Sequence, residues 1–412
     1  MDLLLKNCRL REFDYQLRDV AIEEGKIAAV EEDIKGDAEE VIDLKGKLVS
    51  PAFIEPHIHL DKIFIVDVVR PNKSGTLKEA IEIIWDKKRN YTEEDIVKRA
   101  GDAIKLAALN GTTRMRSHVD IDTIGGLLPL KGVVSAREQY RNLMDIELVA
   151  FPQEGIVQDP GTEKLMCQAM EEGADIVGGM PANEKSPEDS LRHVEIAFEI
   201  AREYDADIDM HVDETDDPFY RTLEMVADLT MKYGWEGRVT AGHTVALAAY
   251  DDHYAEYVMD KVKAAGIHVI TNPATNLMLQ GRLDSQPIRR GITRVKELLA
   301  RGINVGFGQD CVKDTFYPFG RCDLMEVALV TAHAAHLSLP EEIETVFDMP
   351  TYHAARIMRL SDYGMGVGDR ADLVVLDAES AADAIRLQPA RLYVIKEGRI
   401  VATSKRESEL YL

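Results

Sequence analysis

The chain has 412 residues, 45% of them hydrophobic and 30% charged, and carries a formal net charge of −24. That length and balance predict a globular protein with material for a large core. The acidity excludes a binder of nucleic-acid backbones, which needs clustered Lys and Arg, and is compatible with a small neutral or cationic ligand.

In chain order, the opening MDLLLKNCRLREF holds too short an apolar run for a secretory signal. No later stretch approaches the roughly 20 apolar residues that span a bilayer. Cys8, Cys167, Cys311 and Cys322 are scattered and form no CxxC pair, a pattern of reduced thiols rather than of a disulfide frame. A cytoplasmic protein without a membrane partner is expected.

Residues 1–50 read as short strands: LLLKNCRL, VAIEEGKIAAVEE and EEVIDLKGKLVS, separated by Gly and charged turns. The end of the chain, with GVGDRADLVVLDAE and RLYVIKEGRIVATS, has the same character. Residues 1–50 and 360–412 are therefore expected to build one small β-sandwich, with 51–359 inserted between them. The insert alternates apolar strand candidates (LVSPAFIEPHIHL, TTRMRSHVDI, IELVAFPQ, ADIVGGMP, ADIDMHVDE, RVTAGH, IHVITNP, INVGFGQD) with helical patterns such as SLRHVEIAFEIAREYD and ITRVKELLARG. TEEDIVKRAGDAIKLAALNG adds Thr92 and Asp95 at capping-box spacing. Eight strands alternating with helices predict an α/β fold, a closed (β/α)8 TIM-like barrel; an open doubly wound sheet is disfavoured because no GxGxxG turn follows an early strand.

In such a barrel, chemistry sits at the C-terminal strand ends. Those ends carry His57 and His59, then His118 and Asp120, Gln153, His211 with Asp213 and Glu214, His243, and Asp310. Residues i and i+2 of a strand share a face, so His57 and His59 both point into the barrel mouth. With His211 and Asp310 they offer three imidazoles and one carboxylate, a suitable set for one divalent transition metal that acidifies a water. Zn2+ and Fe2+ suit these ligands equally. His118 is as well explained as a hydrogen-bonded structural residue.

These segments resemble the amidohydrolase superfamily, and within it the bacterial cytosine deaminases. The resemblance runs from PAFIEPHIHLDK through SGTL, SHVDID, VAFPQEG, HVDETDD, GHT, NLMLQGR and FGQDCVKDTFYPFG to GMGVGDRADLVVLD. HxH is shared across the superfamily, whereas FPQEG, HVDE and LQGR are specific to that branch. The resemblance implies that His57, His59, His211 and Asp310 ligate one metal per subunit, and that Glu214 is the proton shuttle. It further implies that His243 orients the attacking water and that Gln153 reads the polar edge of a pyrimidine. The implied reaction is hydrolytic deamination of a free nucleobase, cytosine to uracil or 5-methylcytosine to thymine, with self-association of subunits.

Leu77, Asp120, Cys311 and Phe316 are the further candidate pocket residues. The relatives carry a second aspartate where Cys311 stands and a tryptophan where Phe316 stands, so a smaller, more apolar lining is expected, suited to a ring with a 5-substituent. Asp213, Asp216 and Asp217 are expected at the surface or behind the site. Isoguanine, creatinine and amino-triazines are the rival rings. A non-catalytic scaffold would have lost ligands, and a nucleic-acid-editing deaminase would carry H-x-E…P-C-x-x-C, which is absent.

Overall fold

The structure, a computed structural model, describes residues 1–411, so Leu412 of the expected C-terminal segment lies outside it. The N-terminal segment supplies β1 (Leu3–Leu10), β2 (Leu17–Glu23), β3 (Lys26–Glu31), β4 (Glu40–Asp43) and β5 (Leu48–Pro51). The middle supplies β6 (Phe53–Ile58), β7 (Thr112–Asp120), β8 (Asp145–Phe151), β9 (Ile176–Gly179), β10 (Asp207–Val212), β11 (Val239–His243), β12 (His268–Thr271) and β13 (Val305–Phe307). The C-terminal segment adds β14 (Leu373–Leu376), β15 (Arg391–Lys396) and β16 (Arg399–Thr403).

Strands β6 to β13 run parallel in sequence order. The ring closes between its ends, where Ile58 bridges to Asp310 and the Asp310 amide donates to the His57 carbonyl at 2.8 Å. Backbones approach closely at this seam: a Cβ on Gly308 would stand 2.7 Å from the His57 carbonyl oxygen, so only glycine fits. Every barrel run named from sequence overlaps one of these strands. Their residues are buried on both faces, which is why stretches such as LVAF of β8 and IVGG of β9 read as continuous apolar runs rather than alternating ones. Fully buried Phe53, Phe151 and Phe307 anchor the core, each contributing about 1.5–3 kcal/mol of burial.

Two helices bear on the site. In α1 (Leu77–Lys88) the Thr76 side chain caps the Glu79 amide, and in α2 (Glu93–Leu109) Thr92 accepts from the Asp95 amide at 3.2 Å, the expected cap. The patterns at 190–205 and 292–302 fall on the helices Pro187–Glu203 and Val295–Ala300.

The terminal strands form one hydrogen-bonded sheet in the order β16-β15-β14-β5-β1-β2-β3, with β4 also paired to β1. Strand β14 runs antiparallel to β5, pairing Leu373 with Pro51, and so joins the two ends of the chain. Leu3, Leu5, Val20, Ile22, Val49, Leu373 and Ile395 share one apolar cluster on it. LVSPAFIEPHIHL is divided: after Pro51 the backbone changes partners, Ala52 donating to the Asp372 carbonyl and Phe53 to that of Gly111. One apolar run thus serves two sheets. Among the described residues no helix is long and apolar enough to cross a membrane.

Candidate active site

His57 and His59 leave the end of β6, His211 sits in β10, and Asp310 follows β13; each is at most 3% exposed. One ligand atom from each of the four lies within 4.8 Å of the others. The His59 Nε2 is 3.1 Å from the His211 Nε2 and 3.3 Å from the Asp310 Oδ1, and the His57 Nε2 is 3.6 Å from that same oxygen. His59 Nδ1 faces the His118 carbonyl at 3.2 Å, so that nitrogen carries the proton and leaves Nε2 with its lone pair toward the cluster.

Burial drives His59 and His211 well below the usual imidazole pKa, so both are neutral. Burial opposes the Asp310 charge, but the imidazoles of His57, His59 and His243 gathered around it outweigh that and hold the carboxyl well below its ordinary range. Both His57 ring nitrogens, His211 Nδ1 and Asp310 Oδ2 are buried without a hydrogen-bond partner. Buried polar atoms normally have partners. Lone pairs that converge from three imidazoles and an ionised carboxylate fit a divalent transition-metal ion, and these groups could hold one.

The backbone supports this convergence. Glu55, 3% exposed, accepts from the His57 amide at 3.0 Å and from the Gln309 amide at 3.0–3.1 Å, tying the first and last strands together beside the ligands. Asp310 and His243 take φ values of +63° and +68°, left-handed conformations that cost a non-glycine residue about 1 kcal/mol or more each. His243 receives the Asn272 amide on Nε2 at 3.2 Å. Asn276 Nδ2 lies 3.0 Å from His243 Nδ1 and 3.3 Å from Glu214 Oε1. Burial pushes His243 down to about 3 and, together with the Asp310 charge, lifts Glu214 well above an ordinary carboxylic acid.

A narrow cavity beside the cluster is lined by His59, Lys62, Leu77, Gln153, Glu214, Cys311 and Phe316, among others. It adjoins a vestibule of ≈ 680 Å³ bordered by Ile81, Trp85, Glu154, Met180 and Leu279. The Cys311 sulfur is 3.7 Å from Asp310 Oδ1, and burial raises its pKa well above that of a free thiol, so it stays protonated. Asp213 is buried and caps the helix Thr222–Tyr233 through the Thr222 and Leu223 amides, which places it behind the site. His118 pairs with Asp209 at 3.3 Å beneath the His57 ring.

Asp120 is the exception among the sequence candidates. It does not line the cavity; its oxygens face Lys62 at 2.8 Å and Lys88 at 2.7 Å. Opposite charge holds it in the wall as a partner for two buried ammonium groups. Lys62, Lys88 and Asn276 were not singled out from sequence. Lys62 stands three residues after His59, and Asn276 opens NLMLQGR, but neither position has a periodic signal separating it from the surface.

The chain matches the Amidohydrolase family over residues 40–402. It is 36% identical to a crystal structure of 5-methylcytosine deaminase from Klebsiella pneumoniae liganded with 5-fluorocytosine, with a TM-score of 0.94 and 99% of both chains covered. It is 33% identical to N-isopropylammelide isopropyl amidohydrolase of Pseudomonas sp., covering 97% of each. Pterin deaminase of Rhizobium rhizogenes is 30% identical, over 88% of this chain and 82% of the relative. Fold, strand-end ligand set and these likenesses agree: the chain belongs to the amidohydrolase family, enzymes that hydrolyse carbon–nitrogen bonds.

Proposed function

We propose that this enzyme is a metal-dependent hydrolytic deaminase of a free pyrimidine base, converting 5-methylcytosine to thymine and cytosine to uracil with release of ammonia. The reading rests above all on Glu214, a carboxyl lifted by burial and set beside the candidate metal ligands at a cavity lined by the Gln153 amide. When bound by His57, His59, His211 and Asp310, a divalent ion such as Zn2+ or Fe2+ supplies Lewis acidity and a water acidified toward neutrality.

The chain's own groups do the rest. Asp310 and His243 accept the proton lost by the attacking water. Glu214, protonated beforehand, delivers its proton to the ring nitrogen next to the carbon under attack, so the ring takes up electrons without becoming an isolated anion. Asn276 holds Glu214 and His243 in register. Water adds across the carbon–nitrogen bond, the exocyclic amine departs as ammonia with the proton that Asp310 and His243 took up, and the ring carbon keeps the oxygen as a carbonyl while its hydroxyl proton returns to Glu214. Cys311 and Phe316 offer an apolar wall to a ring methyl.

Ammonia release from metal-reconstituted enzyme tests this with 5-methylcytosine, cytosine, isoguanine, creatinine and an amino-triazine. The expected result is turnover of both pyrimidines, with 5-methylcytosine at least equal to cytosine in kcat/KM. No turnover of either pyrimidine overturns the proposal. A second reading, another amino-substituted nitrogen heterocycle, draws on the ≈ 680 Å³ vestibule, which is far larger than a single pyrimidine requires. The relatives named for N-isopropylammelide and pterin point the same way. The same panel separates the two.

A further inference from the structure

On the cavity wall the Lys62 ammonium donates to Gln153 Oε1 and to Asp120 Oδ1, and Gln153 Nε2 is buried with no partner. We infer that Lys62 is a positioning residue that locks the Gln153 amide with its NH2 toward the ring, so that this wall donates only and selects rings presenting a carbonyl oxygen there. The inference rests on the deaminase reading for the identity of the ring, and goes beyond it by assigning the group that fixes which end of the Gln153 amide the ring meets.

A glutamine amide alone is ambivalent: rotation by 180° exchanges donor and acceptor. Beside an ammonium it is not, since an NH2 turned toward Lys62 would set donor against donor and strand the carbonyl oxygen in a buried wall. Lys62 is itself held in place. It is 1% exposed, and Asp120, which anchors it, is anchored in turn by Lys88, whose ammonium also meets Asp122 at 2.5 Å and Glu154 at 3.0 Å. The Gln153 main chain is fixed as well, its carbonyl accepting from the Asn183 side chain at 2.7 Å. Of the three Lys62 protons two are committed, and the third adds to the donors on the wall. A ring with an amine at that edge would set donor against donor and leave buried groups unpaired, the situation in which discrimination is strongest.

Equilibrium binding to the metal-loaded enzyme reads the inference, and ammonia release reads the deaminase proposal separately. The probes are uracil, with a 2-oxo edge, and isocytosine, with a 2-amino edge, at neutral pH; both carry a 4-oxo group in place of the reacting amine, so neither is consumed while it binds. Wild-type enzyme is expected to bind uracil at least about 100-fold more tightly than isocytosine. In Lys62→Met/Asp120→Asn, which removes both charges together, the preference is expected to fall by about tenfold or more as the amide turns freely. In Gln153→Glu, which keeps the Lys62–Asp120 pair and offers the ring an acceptor, the preference is expected to invert. A wild-type enzyme without preference overturns the inference. So does a double variant that folds and keeps the ratio, or, should the double variant not fold, a Gln153→Glu enzyme with the wild-type preference. Preference in binding without ammonia release from cytosine leaves the donor wall standing and fells the deaminase reading alone.

Discussion

Two buried polar clusters share the mouth of this barrel, and they are neutralised in opposite ways. The first (His57, His59, His211 and Asp310) contains no cation of its own, and three of its ring nitrogens and one carboxylate oxygen have no partner. The second (Lys62, Lys88, Asp120, Asp122 and Glu154) supplies its own cations, with two ammonium groups distributed over three carboxylates. Burying a charge is tolerable only when it is paired. The lysine cluster meets that condition within the chain, whereas the histidine cluster could meet it with an ion from outside. Partner deficiency, not residue type, distinguishes a ligand set from a structural network.

The largest expected effect removes that external ion. Asp310→Asn, or chelation of the wild type, should lower metal content measured by elemental analysis and reduce ammonia release by on the order of 10⁴ or more. Full turnover by the stripped protein would erase the distinction between the clusters. Next, Glu214→Gln should keep the metal and lose about 10²–10⁴ in kcat, the usual contribution of a positioned proton donor. If metal content fell too, Glu214 would belong with the ligands.

Lys88→Met probes the other cluster. It should retain metal at wild-type stoichiometry yet cost about 3–5 kcal/mol in denaturant unfolding, because buried carboxylates lose their partner. Loss of metal in that variant would mean the clusters are one unit. Smallest is Cys311→Asp, which should shift the kcat/KM ratio of 5-methylcytosine to cytosine by about tenfold toward cytosine, within the 1–3 kcal/mol that one ring methyl commands.

The histidine cluster was legible in sequence because strand period places His57 and His59 on one face and apolar runs announce the strand ends that carry the rest. The lysine cluster was not. Lys88 closes an amphipathic helix in the run DKK and reads as a solvated lysine; what buries it are carboxylates from the ends of β7 and β8 and the residues just beyond, a convergence no local pattern encodes. Asp120 was misread for the same reason, since a strand-end carboxylate looks identical from sequence whether it faces a substrate or a lysine. The barrel strands were legible from their apolar runs, but the sheet exchange at Ala52 was hidden within one of them, since both halves of LVSPAFIEPHIHL are buried.

Glu55 clasps the backbones of His57 and Gln309 where the first strand meets the last. The terminal staves of the barrel therefore meet on the residues that could hold an ion, and neither stave can peel away without separating those groups. Release of a cation held there would loosen the cylinder at the same seam, and amide exchange across 305–310 should quicken as metal is withdrawn.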